Sequence, residues 1–149
     1  MNILAIDTLS TPLSIAAKGP NGLVTQSFTG NSASHAERLV TLIDTTVSAA
    51  GFTASDINVV LTPEGPGSFT GLRLGFAAAK ALQLSSSCRF LPIPTLPCLA
   101  SCYETWDGNI AALIDAKRDR FYIQLFKNGV PLTEVFDQTA ASMIPHFSE

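Results

Sequence analysis

The chain has 149 residues, a length that fits one domain or two small ones. The net charge of −3 gives the chain no general electrostatic attraction to nucleic acid. Hydrophobic residues make up 46% of the chain and charged residues only 14%, which indicates that a partner covers some apolar surface. We expect a cytoplasmic protein without membrane contact, because no apolar run nears the roughly 18 residues of a membrane span, the N-terminus lacks a basic signal region, and three cysteines without metal-site spacing indicate reduced thiols.

Hydrophobic periodicity and turn residues predict an alternation of strands and helices in the first two-thirds of the chain. Asn21 and Gly22 signal a hairpin turn. Ser34 and Glu37 form a capping box at the start of the first helix, and Gly51 stands where its C-terminal cap belongs. The predicted order is βββαβαβα, over residues 3–6, 13–17, 23–28, 34–50, 57–61, 72–84, 89–93 and 95–102.

A second βββ pattern follows and predicts an internal structural repeat. Its strands are expected at 109–114, 120–126 and 130–135, and a helix begins near Thr139. The first strand of each copy ends in an aspartate, Asp7 in one and Asp115 in the other. The boundary falls within 103–108, so we divide the chain into a first unit, 1–104, and a truncated second unit, 105–149.

The glycine-rich run at 65–75 lies between a predicted strand and a predicted helix. Such a junction points backbone N–H groups at one spot beside the positive end of a helix dipole, so Gly67 and Ser68 are candidates for anion binding. The same glycines would also let another backbone come very close. Leu72 follows Gly71 where a P-loop requires lysine, so the run does not match that motif. The sequence leaves both uses open.

Asp7, Thr8 and Asp115 are the other candidate nucleotide or anion ligands. Asp7 and Asp115 stand where folds that bind Mg-ATP place an acidic residue, and Thr8 follows Asp7 in the same turn. Asp and Thr also make ordinary hairpin turns, however, and no adjacent glycine admits a phosphate. The charged turn at 115–120 is either solvated or in contact with a partner or RNA. His35 and His146 are the only histidines and form no metal-binding pair, so we predict neither a metal nor a catalytic residue.

Both long helices carry more apolar surface than one sheet can cover. A helix on a sheet needs an apolar stripe a little over about 100° wide, whereas that of the first helix spans roughly 160° at 3.6 residues per turn and the second is apolar almost all round. Either the two helices pack on each other, or they form a helix bundle with another molecule. We favour the bundle.

Several blocks, in order over nearly the whole chain, resemble the TsaB (YeaZ) family. They are Ile-Leu-Ala-Ile-Asp-Thr at the start, Ser-His-Ala-Glu-Arg-Leu at 34–39, Gly-Pro-Gly-Ser-Phe-Thr-Gly-Leu-Arg-Leu-Gly at 65–75, Pro-Thr-Leu at 94–96 and Asp-Ala-Lys-Arg at 115–118. The resemblance implies an α/β fold of the actin-like ATPase (ribonuclease H-like) type. Leu9 stands where members often have serine, and the family's second unit is longer than the one here.

The resemblance further implies a non-catalytic scaffold without a cofactor, where ATP binds only weakly or at a partner interface. Its partners would be a TsaD-like paralogue and a TsaE-like ATPase, in threonylcarbamoyl transfer to adenosine beside the tRNA anticodon. Alone it would form a homodimer, and tRNA would contact it only within the complex. The alternative is an ATP-dependent small-molecule kinase of the same fold. The implied partner interface comprises His35, Leu39, Leu42, Ile43, Phe69, Leu72, Arg73, Gly75, Phe76, Ala79 and Lys80.

Overall fold

The computed structural model describes residues 1–143 of the chain, as two compact units. The first unit joins Met1–Glu64 and Ser68–Ile93, and the second joins Gly65–Gly67 and, within the described range, residues 94–143. No helix within the described range is long and apolar enough to cross a membrane.

The first unit contains five strands, two long helices and a 3₁₀ turn. They follow the predicted order as far as the fifth strand. Their bounds are β1 Ile3–Asp7, β2 Leu13–Gly19, β3 Gly22–Phe28, α1 Ser32–Ala49, the 3₁₀ turn Ala54–Asp56, β4 Val59–Gly65, α2 Phe69–Ser86 and β5 Arg89–Pro94.

The strands of the first unit form one sheet in the order β3-β2-β1-β4-β5. β1 pairs antiparallel with β2 and parallel with β4, so Ile3 lies opposite both Lys18 and Val59. Alternate residues of β1 and β2 are buried, as the period of two requires. The core on this sheet includes Leu4, Ile6, Leu13, Ile15, Ala17 and Val60.

The ends of α1 test two sequence predictions. The capping box of Ser34 and Glu37 is wrong, because α1 begins earlier and the Asn31 side chain accepts a hydrogen bond from the Ser34 backbone N–H at 3.0 Å. The predicted role of Gly51 at the C-terminal end of α1 is confirmed. Gly51 follows the C-cap with φ +87°, and the Phe52 N–H reaches back to the Val47 carbonyl at 3.1 Å, the pattern of a Schellman motif.

The second unit packs a short helix on an antiparallel sheet. Leu96 and Ala100 from the helix form a core with Ala112 and Phe126 from the sheet. The helix therefore belongs with the second unit, whereas the sequence-based division at 104/105 put it in the first. The bounds are α3 Thr95–Ser101, β6 Asn109–Lys117, β7 Arg120–Lys127, β8 Val130–Pro131, β9 Phe136–Thr139 and α4 Ala140–Met143.

The predicted continuous strand at 130–135 is wrong. β8 has only two residues, and the chain rejoins the same strand, β7, as β9. Pro131 lacks the N–H that would continue the ladder. The chain bulges after it, where the Thr133 hydroxyl accepts from the Leu125 N–H at 3.1 Å and the Thr133 carbonyl accepts from the Gln124 side chain at 3.0 Å. The last predicted element, a helix starting near Thr139, is confirmed by α4.

Two neighbouring residues of α1 provide a test of which side of the helix faces the sheet. Leu39 is 3% exposed in the core, whereas Val40 is 74% exposed. We expect Leu39→Ala to lower the free energy of unfolding by about 3 kcal/mol, since it leaves a cavity, and Val40→Ala to change it by less than about 0.5 kcal/mol. Urea unfolding followed by circular dichroism measures both. Equal effects would show that Leu39 does not face the core.

Candidate functional site

The glycine-rich run at 65–75 leads into α2, and the first turn of this helix is capped from within the chain. The Ser68 side chain accepts a hydrogen bond from the Gly71 N–H at 3.3 Å, and the Ser68 carbonyl accepts from the Leu72 N–H at 2.8 Å. Ser68 is thus the N-cap of the helix.

The backbone of the turn between β1 and β2 lies directly on this first helical turn. A Cβ atom added at Gly71 would lie less than 3.0 Å from the Thr8 carbonyl oxygen. Real Cβ atoms essentially never come that close to another atom. The buried Thr8 hydroxyl donates to the Gly71 carbonyl at 2.7 Å. Of the two uses that the sequence left open, the structure shows close backbone approach at Gly71.

The inner face of α2 continues from Gly71 at four-residue intervals. A Cβ at Gly75 would meet the hydroxyl oxygens of Thr8 and Thr62, each at 2.7 Å, and Ala79 is fully buried. The sequence placed Gly75 and Ala79 on a partner-facing surface. That placement is corrected, because their small size serves the approach of α2 to its own sheet.

The same correction applies to most of the α1 residues expected at an interface. His35, Leu39 and Ile43 are buried inside the first unit, and Leu42 is half-buried. The His35 ring meets the Phe28 ring edge-on, with centroids 6.2 Å apart. These side chains lie on the face of α1 that covers β2 and β3, because the helix uses most of its apolar stripe on its own sheet.

The outer face of α2 carries the large side chains, and we call Phe69, Arg73, Phe76, Lys80 and Leu84 the outer stripe. The Arg73 guanidinium lies 4.2 Å from the centre of the Phe69 ring, and the Phe76 ring packs edge-on against Phe90 at 5.2 Å. Phe69 and Leu84 are 67% and 86% exposed. Leu72, also expected at the interface, is half-buried.

Leu84 was not among the predicted interface residues, although the sequence contains the signal for it. It follows Phe69 by fifteen positions, which at 3.6 residues per turn places both on one side of the helix. The exposed Val40 on α1 was missed in the same way. The pattern showed an excess of apolar surface but not which part of it the sheet would leave uncovered.

Side chains of the predicted anion site are engaged within the chain. The Asp7 carboxylate accepts hydrogen bonds from the backbone N–H groups of Leu9 at 2.8 Å and Ser10 at 3.4 Å, which makes an Asx-type turn. Thr8 and Ser68 hold the first turn of α2 through their hydroxyl groups. Gly67 has φ +155°, a conformation that favours glycine. Anion binding by these residues stays a prediction.

Asp115 lies in the second unit, exposed at the end of β6. Its carboxylate forms an ion pair with the Lys117 Nζ atom at 2.9 Å and also accepts from the Lys117 backbone N–H at 2.7 Å. These two hydrogen bonds, the side-chain one first, lower the pKa of Asp115 from its ordinary value. The turn that follows carries positive φ angles at Lys117, Arg118 and Asp119.

No group of three or more His, Cys, Asp or Glu side chains in residues 1–143 is arranged to hold a metal ion. His146, the second of the two histidines, lies outside the described part of the chain.

Comparisons with known proteins identify the relatives of this chain. A family model described as TsaD, tRNA N6-adenosine threonylcarbamoyltransferase, matches residues 29–147. A protein from Bacillus subtilis (strain 168), named tRNA threonylcarbamoyladenosine biosynthesis protein TsaB, is 31% identical over 93% of this chain and 61% of its own length. Its namesake from Escherichia coli (strain K12) is 31% identical over 87% of this chain and 58% of its own length. The chain thus spans about three-fifths of these relatives.

Solved structures similar to this chain confirm the predicted fold class. YeaZ from Pseudomonas aeruginosa matches with a TM-score of 0.77 at 24% identity, over 93% of this chain and 66% of that one. A protein described as similar to peptidase YeaZ from Pseudomonas aeruginosa matches with a TM-score of 0.80 at 23% identity, over the same shares. The fold is therefore the expected α/β fold of the actin-like ATPase (ribonuclease H-like) type.

Because the backbones approach closely at Gly71, we expect Gly71→Ala to lower the free energy of unfolding, whereas helix propensity alone would raise it. Helix propensity alone would make Gly71→Ala stabilising by up to about 1 kcal/mol. The clash with the Thr8 carbonyl should instead lower the free energy of unfolding by about 1–3 kcal/mol. Ala77→Gly, at an exposed position of the same helix, is the control for propensity. Thermal unfolding measures both, and a stabilised Gly71→Ala would contradict the close approach.

The ion pair of Asp115 predicts a titration that depends on Lys117. Because the pKa is lowered in the folded chain, the pair contributes stability above the unfolded pKa and loses it as the pH falls through the folded pKa. Carboxyl NMR titration should show a lowered Asp115 pKa that rises part of the way back in Lys117→Met, where only the backbone N–H still donates. Arg118→Met is the control and should leave it unchanged. A pKa insensitive to Lys117 would disprove this cause.

Proposed function

Because the chain belongs to the TsaB (YeaZ) family, we propose that it takes part in the biosynthesis of threonylcarbamoyladenosine in tRNA, as a non-catalytic scaffold subunit. The relatives in Bacillus subtilis and Escherichia coli are named for this biosynthesis. The chain spans only part of those relatives, so their activity, substrate and partners are carried over to it as parts of this proposal.

The partner in the proposal is a TsaD-like paralogue, and the outer stripe of α2 is where it docks. The observation that carries this is the exposure of Phe69 and Leu84 on one side of an 18-residue helix, next to the half-buried Phe76. Large apolar side chains gathered on one face mark interaction surfaces, whereas scattered ones do not. Arg73 and Lys80 flank them, so the facing surface of the partner should be acidic.

The remaining partners follow from the same surface and from charge. In the absence of the paralogue, two copies of the chain would cover the outer stripe of each other in a two-fold homodimer. A TsaE-like ATPase completes the complex. With a net charge of −3, this chain contributes little to the electrostatic binding of tRNA, so tRNA contacts it only within the complex, in the cytoplasm.

The proposal assigns no reaction to this chain. The hydroxyl groups of Thr8 and Ser68 are hydrogen-bonded to the first turn of α2, and the Asp7 carboxylate accepts hydrogen bonds from two backbone N–H groups. ATP would bind weakly or at the partner interface, and no cofactor belongs to the chain itself. The alternative of a small-molecule kinase is not favoured, since the named relatives are tRNA biosynthesis proteins.

Truncation of the outer stripe tests the proposal. We expect Phe69→Ala or Leu84→Ser to weaken binding to the TsaD-like protein of the same organism by about 2 kcal/mol, roughly 30-fold in Kd, as for the central residues of an interface. Titration calorimetry gives the Kd, and sedimentation of the chain alone should show weaker self-association. Because both side chains are exposed, thermal unfolding should change little.

The control is Leu23→Ser, which removes an apolar side chain of nearly equal exposure, 68%, from the edge strand β3 of the same unit. It should bind the partner as the wild type does. If Leu23→Ser weakens binding and the two α2 variants do not, the docking surface lies elsewhere on the chain. If the wild-type chain does not bind a TsaD-like protein at all, the scaffold proposal itself is wrong.

A further inference from the structure

Two of the three cysteines lie together near the exposed C-terminal end of α3, Cys98 within the helix and Cys102 as its C-cap. Cys98 and Cys102 are both solvent-exposed, whereas Cys88 is buried at 4% exposure in the core of the first unit. The chain thus contains an accessible pair of thiols and an inaccessible third one. Nothing in the proposed scaffold function uses this pair, and the chemistry of the pair does not depend on that function.

The packing of α3 explains why both thiols point outward. Leu96 and Ala100 are the buried residues of the helix and form its contact with the sheet of the second unit. Cys98 and Cys102 each follow one of them by two positions, and two positions turn a helix by about 200°. The thiols therefore occupy the side of the helix opposite the core.

The spacing of the two cysteines lies within the reach of a disulfide. The backbone stays helical through Cys102, with φ −63° and ψ −17°, so residues four apart have Cα atoms roughly 6 Å apart. Disulfides join Cα atoms about 4.4–6.8 Å apart. The Cys102 sulfur already leans over the preceding turn, 3.9 Å from the Cys98 carbonyl oxygen. A disulfide bond between the two would remain within a single helical turn.

Closing the disulfide requires the two Cβ atoms to move closer together, and the exposed chain after α3 allows this movement. Helical residues four apart have Cβ atoms about 5–6 Å apart, whereas a disulfide needs about 3.5–4.5 Å. The helix ends at Ser101, and the next residues, through Asp107, are exposed. Cys102 can therefore move toward Cys98 without disturbing Leu96 or Ala100 in the core.

We propose that Cys98 and Cys102 form a reversible dithiol–disulfide site that low-molecular-weight disulfides oxidise. One protein thiolate attacks a sulfur of the small disulfide, so that a mixed disulfide forms and one small thiolate leaves. The second protein thiolate then attacks the protein sulfur of the mixed disulfide, closes the intramolecular bond and expels the second small thiolate. The protein loses two electrons and two protons, and the small disulfide gains two electrons to become two thiols.

The neighbouring chain offers a spectroscopic readout of this closure. Trp106 is the only tryptophan, and its backbone N–H donates to the Tyr103 carbonyl at 2.9 Å in the turn that follows α3. Movement of Cys102 displaces the start of that turn. Closure of the disulfide should therefore change the fluorescence of Trp106, and reduction should restore it.

Oxidation by glutathione disulfide, followed by acid quenching and intact-mass spectrometry, tests the site. The wild-type chain should lose two hydrogen masses. Cys98→Ser and Cys102→Ser should instead each retain one glutathione as a stable adduct, because no second thiol can displace it. Cys88→Ser is the matched control and should oxidise as the wild type does. Trypsin leaves Cys98 and Cys102 together on segment 90–117 and Cys88 on segment 81–89, so peptide masses locate the bond.

Three outcomes would overturn the proposal. The first is a wild-type chain that accumulates glutathione adducts without closing a disulfide. The second is a disulfide that includes Cys88 or joins two chains. The third is a wild-type chain whose mass stays that of the reduced form, since neither exposed thiol would then react with glutathione disulfide.

Discussion

The close contact between α2 and the turn after β1 is the constraint from which the arrangement of the first unit follows. Gly71, Gly75 and Ala79 recur every four residues, and this small-residue face is what lets the helix backbone reach Thr8 and Thr62. Because α2 has only one such face, packing that face against the sheet fixes the rotation of the helix about its axis and so the directions of all its other side chains. The large side chains of the outer stripe therefore point away from the sheet. One packing requirement sets both the interior of the unit and the surface proposed as the docking site.

Local signals accounted for most of the elements, and non-local contacts for most of the differences. Gly51 ends α1 as predicted, because a left-handed residue after a helix is encoded by glycine itself. The N-terminal cap was misplaced because Asn31 and Ser34 are both good caps, and a sequence does not show which of them the chain uses. The unit to which α3 belongs depends on the packing of Leu96 with Phe126, a contact between residues thirty positions apart that no local sequence pattern contains.

The candidate site was predicted in part, for a related physical reason. The sequence identified α2 as a helix with surplus apolar surface, and Phe69, Arg73 and Lys80 do lie exposed on it. It placed Gly75 and Ala79 on the wrong side, because small residues allow close approach to a second helix and to a sheet equally well. Only the positions of Thr8 and Thr62 decide between the two, and these come from the turn after β1 and from β4.

The cations of the outer stripe bear on how a partner would bind there. Arg73 stacks over Phe69, and Lys80 lies 5.7 Å from the centre of the Phe90 ring. Each such contact contributes about 0.5–1 kcal/mol at an exposed site and shields an aromatic face from water while the stripe is uncovered. A partner with carboxylates can draw these cations off the rings and expose the faces for its own apolar side chains. The cost of breaking the internal contacts then reduces the net affinity, which suits the proposed exchange of a second copy of the chain for a different partner.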